Sequence, residues 1–247
     1  MSRASRARFA DVVRAPEVDL GLACLLIGVE VDPDLDVDAG LARLDELAAA
    51  VPPDLPPVEG LRAVLSGYRG APRDYGSLRS SLLHEVLRSR AGLPILLSVL
   101  WLAVARRRGA PAEGVGLPGH FVVRVDGQLL DPFSGGASVD PRAVPEELLH
   151  PWPAPAVLLR VLTNVRAWAG SASERSPAAR WSLELSLLLP HAPTGLRHEL
   201  GALLVAQGHL LAGAAELEAF ADTVEDADRA AALGARSEAA RARARLN

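Results

Sequence analysis

The chain has 247 residues, 49% of them hydrophobic, and a formal net charge of −4. This length and apolar content allow a substantial core and predict two domains. The net negative charge gives no general attraction to nucleic acid, so we expect no nucleic-acid partner. The single cysteine excludes an internal disulfide framework.

All 26 basic residues are arginine, and lysine is absent. Chemistry that uses a lysine amine, such as Schiff-base formation, is therefore excluded. The segment 2–9 carries three arginines, but no apolar stretch of the kind found in signal peptides follows it. The apolar run 91–105 is shorter than the roughly 18–20 residues that a membrane span needs. We therefore expect a cytoplasmic protein with no membrane partner.

Residues 10–90 have the pattern of a helical section. The apolar stretch Leu20–Val31 predicts a buried helix that contains Cys24, where a free cysteine usually behaves as a small hydrophobe. The segment Val37–Val51 carries apolar residues at helical spacing and predicts a second helix, capped by Asp36 or Asp38.

The run that starts at Pro94 is apolar on nearly every face as far as Ala105. Proline is favoured at the first helical position, so the pattern predicts a helix from Pro94 to Arg106–Arg108 that ends at Gly109. Apolarity on all sides indicates that this helix is buried at the centre of the domain.

A β-hairpin is predicted immediately downstream. Asp126-Gly127 lies between the runs 121–125 and 128–131, and Asp-Gly favours a two-residue type I′ turn. The register then pairs residue 125 with 128, 124 with 129, 122 with 131 and 120 with 133. Alternation of side chains places His120 and Asp131 on one face as diagonal neighbours, close enough for a histidine–carboxylate hydrogen bond.

Turn-forming residues flank this pair: Pro118-Gly119 before the histidine, and the segment 132–136 after the aspartate. Such turns bring backbone close to the pair. Together these features predict a cleft in which His120 and Asp131 are the candidate catalytic pair, the base and its orienting carboxylate of a nucleophile–base–orienter triad. The residues predicted to line the cleft are Pro94, Gly119, Phe121, Phe133, Gly135 and Gly136.

The proline-rich segment 151–155 predicts a domain boundary, which gives domains of 1–155 and 156–247. The second domain is alanine-rich and predicted to be helical. Segment 201–217 resembles the small-residue pattern of a tetratricopeptide unit, and segment 178–190 resembles the end of a preceding unit. The arginines of Arg241–Arg245 could meet an acidic partner or form a solvated helix end.

These motifs together resemble the transglutaminase-like branch of the papain-like fold. Arg106 and Gly109 match its R-x-x-G motif, and His120 and Asp131 match its histidine and aspartate. The chain is similar in particular to the SirB-type bacterial family, a transglutaminase-like domain followed by tetratricopeptide-like helices. The matching stretches are residues 82–87, 92–95, 114–121 and 131–136, with weaker similarity from about Phe9 to Leu217.

The resemblance implies an α+β fold. A buried central helix would pack on a small antiparallel sheet, flanked by N-terminal helices and a C-terminal helical region that is tetratricopeptide-like. The resemblance also shows one position at which this chain differs from the family pattern. Active enzymes that this core resembles have cysteine about fifteen residues before the glycine of R-x-x-G, and here that position is Pro94.

No other residue is a convincing nucleophile. Cys24 is expected to be buried, Ser98 to bond to its own helix backbone, and Ser134 to act as a turn residue. The six histidines show no metal-binding spacing, and His84-Glu85 is expected to face solvent. We therefore expect no metal and no cofactor.

Two functions follow as hypotheses. The first is a non-catalytic transglutaminase-like module that binds a peptide or protein, or acts as a scaffolding or regulatory module. The alternative is a weak hydrolase or transferase in which His120, oriented by Asp131, acts as a general base, which is typically worth about 10²–10⁴-fold. In a third hypothesis the pair is purely structural and the function resides wholly in the helices.

Overall fold

The computed structural model describes residues 3–70, 76–172 and 177–246. By compactness the chain divides into two units between Val161 and Leu162. The domain boundary predicted from the sequence, between residues 155 and 156, lies six residues before this division. Whether each part folds as a domain of its own stays a prediction. Within the described ranges, no helix combines the length and the apolar character needed to cross a membrane.

The first unit begins with helices, as the pattern predicted. The bounds are α1 Arg3–Arg14, α2 Leu20–Gly28, α3 Val37–Ala49 and α4 Pro57–Leu65. Asp36, one of the two predicted caps, accepts a hydrogen bond from the Ala39 amide and so satisfies one of the free donors at the start of α3.

The central helix α6 spans Pro94–Arg107, and every residue from Pro94 to Ala105 is buried. Gly109, just after the end of the helix, has φ +66°, as the sequence pattern predicted for a helix-ending glycine. Before α6 come β1 Arg69–Gly70, a 3₁₀ turn, α5 Leu83–Ser89 and β2 Ala91–Gly92. Strands β1 and β2 pair in parallel.

The main sheet is antiparallel, with the order β3-β4-β5-β6. The strands are β3 Ala112–Leu117, β4 His120–Val125, β5 Gln128–Asp131 and β6 Ala137–Ser138. Helix α6 packs on β3 and β4. On the sheet, Val115, Val122 and Leu129 form a second apolar cluster that is covered by residues of the segment 139–149.

The predicted hairpin register is confirmed near its turn. Val125 pairs with Gln128, Arg124 with Leu129, and Val123 with Leu130. The predicted continuation of the strand to Phe133 is wrong, because Pro132–Ser134 form a 3₁₀ turn. Proline lacks the amide hydrogen that a ladder needs, and the Asp131 carboxylate caps the turn.

Helix α7 spans Ala154–Ala172. The second unit holds α8 Pro177–Ser186, α9 Gly195–Ala206, α10 Leu210–Val224 and α11 Arg229–Ala244. Helices α9 and α10 approach closely through two glycines. A Cβ added to Gly213 would lie 2.8 Å from the carbonyl oxygen of Gly201, so neither position has room for a larger side chain.

Candidate functional site

The site is built where β4 begins and β5 ends. His120 starts β4 directly after the turn at Pro118-Gly119, in which Gly119 has φ +69°. Asp131 ends β5, so that the two side chains meet across the hairpin. Nε2 of His120 lies 2.9 Å from Oδ1 of Asp131, which is the predicted hydrogen bond.

The Asp131 carboxylate is bonded on both oxygens. Oδ1 also accepts from the Phe133 amide at 2.9 Å, and Oδ2 accepts from the Ser134 hydroxyl at 2.7 Å. Burial raises the pKa of Asp131, but the hydrogen bonds from His120, Ser134 and the Phe133 amide outweigh burial and hold its pKa below its usual value. Asp131 is therefore ionised near neutral pH.

This carboxylate fixes the tautomer of His120. An ionised carboxylate only accepts hydrogen bonds, so Nε2 must carry the hydrogen. Nδ1 is then the basic nitrogen, able to accept a proton or a hydrogen bond. The ring is about a third exposed, at 31% of the side chain, so that a ligand can reach it.

The turn after Asp131 forms one wall beside the histidine. The Phe133 ring meets the His120 ring edge-on, with centroids 5.8 Å apart. A Cβ on Gly70 would overlap the Phe133 ring, so the β1 glycine allows the aromatic ring to fit. Gly135 and Gly136 have φ +68° and +82°, values that side-chain-bearing residues rarely adopt.

Arg62 of α4 holds this turn from the other side. Its Nε donates to the Gly136 carbonyl at 2.8 Å, and Nη2 donates to the Ser138 hydroxyl at 2.8 Å. Sequence reasoning missed Arg62, because it lies 74 residues from its partner and no local pattern marks it. The role of Ser134 as a donor to Asp131 was also missed, although its spacing from the aspartate could have suggested it.

Phe121 does not line the cleft as predicted. Its side chain is 2% exposed and packs edge-to-face on Trp152, because alternate residues of β4 point to opposite faces. Its carbonyl accepts a hydrogen bond from the buried Ser98 hydroxyl at 3.2 Å. The prediction that Ser98 bonds to its own helix is therefore wrong.

None of the four positions considered from the sequence offers His120 a nucleophile. Pro94 is buried at the first position of α6 and has no atom that could attack a substrate. Burial, with a further contribution from Asp19, raises the pKa of the Cys24 thiol to about 12. The Ser98 hydroxyl donates to the Phe121 carbonyl and the Ser134 hydroxyl to Asp131, so neither is directed at His120.

Arg106 and His84, two further residues singled out from the sequence, are engaged in packing within the fold. Arg106 donates to the Val18 carbonyl and pairs with Glu17, both at 2.8 Å, which ties the end of α6 to the loop before α2. His84 does not face solvent as predicted: burial lowers its pKa, and its Nδ1 is enclosed without a partner in the described ranges. Among the described residues, no three His, Cys, Asp or Glu side chains come close enough to hold a metal ion.

Curated relatives were found in bacteria and in animals. A UPF0162 protein of Xylella fastidiosa is 35% identical over 152 residues, which cover 53% of this chain and 54% of that protein. A UPF0162 protein of Pseudomonas aeruginosa is 44% identical over 59 residues, 23% of this chain and 22% of that protein. The F-box only protein 21 of Mus musculus is 40% identical over 70 residues, 27% of this chain and 11% of that protein.

The chain spans about half the length of the Xylella relatives that it matches. No solved structure shows a significant match to it. The family model described as the transglutaminase-like superfamily matches residues 36–165, which include α6, the sheet and the His120–Asp131 pair. The match covers more than half of the 247 residues, and the chain therefore belongs to the transglutaminase-like superfamily.

Proposed function

We propose that this protein is a non-catalytic, SirB-type member of the superfamily that binds an extended peptide segment of a protein partner at His120. In this proposal the helices after α7 form a tetratricopeptide-like region that also contacts a protein partner. The role is scaffolding or regulatory, and it takes place in the cytoplasm.

The proposal is carried by the combination of two observations. The first position of α6 is proline, and the hydrogen bond between His120 and Asp131 is nevertheless present. Covalent catalysis of acyl transfer needs an activated nucleophile at the start of the central helix. There the helix dipole and a nearby imidazole would depress a thiol pKa. Pro94 offers no such atom, whereas the histidine keeps its orientation and its exposed surface.

The geometry around His120 suits a peptide amide. Nδ1 can accept a hydrogen bond from a backbone N–H of the ligand. The half-buried Phe133 ring offers an apolar contact beside it, and the exposed turn at Gly119 leaves room for an approaching chain. A partly buried polar contact flanked by aromatic surface is typical of recognition sites.

The comparisons are compatible with a domain that works inside larger proteins. The matched segment makes up only 11% of the mouse F-box protein, so a related stretch exists there within a much longer chain. Close approach of α9 and α10 through Gly201 and Gly213 supports the tetratricopeptide-like reading, because such units pack their helices through small residues.

The alternative is a weak hydrolase or transferase in which His120 Nδ1 activates water or a substrate hydroxyl. The specific observation in its favour is the tautomer, because Asp131 holds the proton on Nε2 and leaves Nδ1 as a base. General-base assistance without a covalent step is worth about 10²–10⁴-fold, so turnover would be slow.

The test combines peptide selection with an amidase assay. Peptides are selected from a random display library for binding to the wild-type protein. Their affinity for the His120→Ala variant should be at least tenfold lower than for the wild type. They should bind the His150→Ala variant normally, because His150 is an exposed histidine of the same unit. If no selected peptide depends on His120, the proposed binding site is wrong.

The same variants decide between binding and catalysis. The wild-type protein is expected to show no turnover of peptide or glutamine amides above the buffer rate. If it shows turnover that His120→Ala abolishes while the variant remains folded by circular dichroism, the non-catalytic reading is wrong. If His120→Ala mainly lowers the melting temperature and leaves peptide binding unchanged, the pair is structural.

A further inference from the structure

A second candidate site lies in the second unit, in a groove formed by α9, α10 and α11. Its volume is about 390 Å³, within the size range of ligand-binding clefts. Leu217 and Ala242 are buried members of its lining, and Val205 packs against them. The charged residues that line the groove all come from α11 and its end: Glu238, Arg241 and Arg245. The groove therefore combines an apolar base with a charged edge.

The three arginines at the end of α11 have different surroundings. Arg243 pairs with Glu218 of α10. Arg241 and Arg245 are one helical turn apart, so their side chains are neighbours on the helix surface, and both line the groove. Both are exposed to solvent, so a ligand can reach them. Two of the three arginines thus lie at the groove, while the third is held in an ion pair with α10.

The positive charge at the groove is not neutralised by the described residues. Arg241 donates to the Ser237 hydroxyl at 2.8 Å, and the Arg245 side chain makes no hydrogen bond or ion pair within the segment 177–246. The carboxylate in the lining, Glu238, lies 3.3 Å from Nε2 of His198. Two guanidinium groups and one carboxylate leave the groove positive, although the chain as a whole carries a charge of −4. This charge favours an anionic ligand.

The spacing of Arg241 and Arg245 matches an extended peptide. Four residues of α-helix rise by about 6 Å. Alternate residues of an extended chain lie about 6.6–6.8 Å apart, and their side chains point to the same side. Two carboxylates at alternate positions of such a chain can therefore each meet one guanidinium, as charge-assisted hydrogen bonds require.

We propose that this groove binds an extended segment of a partner protein that carries acidic residues at alternate positions. One carboxylate accepts from Arg241 and the other from Arg245, and the methylene groups of the segment pack on Ala202, Val205 and Ala206. The inference rests on the proposed role of the C-terminal helices in contacting a protein partner, and it names the chemistry of that partner. It does not depend on the site at His120, which lies in the other unit.

The direct test is fluorescence anisotropy with a labelled alanine heptapeptide that has glutamate at its third and fifth positions, titrated with the whole protein. The expected Kd is on the order of 0.1–1 mM at low salt. Binding should weaken as the ionic strength rises to about 0.15 M, because exposed charges are screened. A peptide with glutamine at both positions should bind about tenfold more weakly, since two exposed ion pairs are lost.

Two peptide results would overturn the inference. If the glutamine peptide binds equally well, the helices contact peptides but the acidic ligand is wrong, and the proposed protein-binding role of this region survives. If a peptide with adjacent glutamates at its third and fourth positions binds equally well, the extended spacing is wrong, because that peptide has the same net charge.

Matched variants locate the binding. Arg241→Gln and Arg245→Gln should each weaken the glutamate peptide about threefold to fivefold, the upper end for an exposed ion pair. Arg243→Gln removes the same charge between them, but from the pair with Glu218, and should leave the affinity unchanged. Equal losses in Arg243→Gln and Arg241→Gln would show attraction to the overall charge and overturn the proposal.

Charge reversal provides a gain of binding that loss of folding cannot imitate. The double variant Arg241→Glu, Arg245→Glu should reject the glutamate peptide and bind a peptide with lysine at the third and fifth positions. A double variant that is folded by circular dichroism but does not prefer the lysine peptide would overturn the assignment of the two arginines.

Discussion

His120 and Asp131 are joined by a 2.9 Å hydrogen bond, and the same carboxylate holds the turn that follows it. It receives the Phe133 amide and the Ser134 hydroxyl, while the Asp131 carbonyl accepts from the Gly136 amide at 2.8 Å. One residue thus orients the histidine and closes the turn. The pair is therefore part of the fold as well as of the candidate site.

Replacing the carboxylate should reduce stability and alter the acid dependence. Asp131→Asn is expected to cost about 1.5–3 kcal/mol at pH 7, since the charge is lost and one of the two acceptor oxygens is replaced by an NH2 donor. The folded protein holds the pKa of Asp131 below its usual value. Its stabilisation is therefore fully present above about pH 4 and is lost as the pH falls through the folded pKa. Urea denaturation between pH 7 and pH 3 gives the free energy of unfolding at each pH. This free energy should fall less steeply with acid for Asp131→Asn than for the wild type, and equal slopes for the two proteins would contradict the prediction.

Gly136 and Gly127 offer a matched pair of glycine substitutions. Both have positive φ, +82° and +76°. A Cβ on Gly136 would also overlap the buried Trp101 indole, whereas a Cβ on Gly127 meets open space. Gly127→Ala should cost about 1 kcal/mol from backbone strain alone, and Gly136→Ala a further 1–3 kcal/mol from overpacking. Equal denaturation midpoints for the two variants would show that the turn has room to move.

A thiol introduced at the start of α6 should become reactive. In Pro94→Cys the helix N-terminus and His120 should depress the thiol pKa, so that iodoacetamide reacts at least tenfold faster at pH 7 than with Ser98→Cys, one turn further into the helix. The wild-type protein should remain unlabelled, because Cys24 is buried and its pKa is raised to about 12.

Adding His120→Gln should slow the labelling of Pro94→Cys. Labelling that is equally slow with and without His120 would show that the histidine does not face the first turn of α6. Mass spectrometry of the intact protein gives the rates directly.

His84 should make the first unit sensitive to mild acid. Burial lowers the pKa of His84, with Arg88 acting in the same direction and Glu85 and Asp32 opposing it. The folded state prefers the neutral ring, so its stability is fully present above about pH 6.5 and falls as the pH drops toward the folded pKa. His84→Gln should flatten this dependence in urea titrations between pH 7 and pH 5. His150→Gln, at an exposed position, should not, and identical slopes for the two variants would contradict the assignment.

Local rules predicted the elements that bring the site together. The apolar run after Pro94 indicated the buried helix, and Asp126-Gly127, with φ values of +46° and +76°, indicated the turn and the register around it. Register alone then placed His120 against Asp131. Periodicity and turn chemistry act over a few residues, so they can be read from a single sequence.

What could not be predicted depends on distant contacts. Ser98 donates to a strand carbonyl 23 residues away, and Arg62 reaches Gly136 across 74 residues. His84 is enclosed against Gly28 of α2, where a Cβ would overlap its ring. Tertiary packing decides these partners, and the polar character of a side chain does not reveal whether a neighbour will cover it.

The turn after β5 gives Asp131 a role in folding that does not depend on catalysis. Loss of Asp131 would release the histidine and also open the segment that Arg62 fastens to α4. Selection for folding alone would therefore preserve the aspartate even in a chain without catalytic activity. The presence of this aspartate is therefore no guide to catalytic activity in this chain, because the turn needs it for folding whether or not the histidine takes part in chemistry.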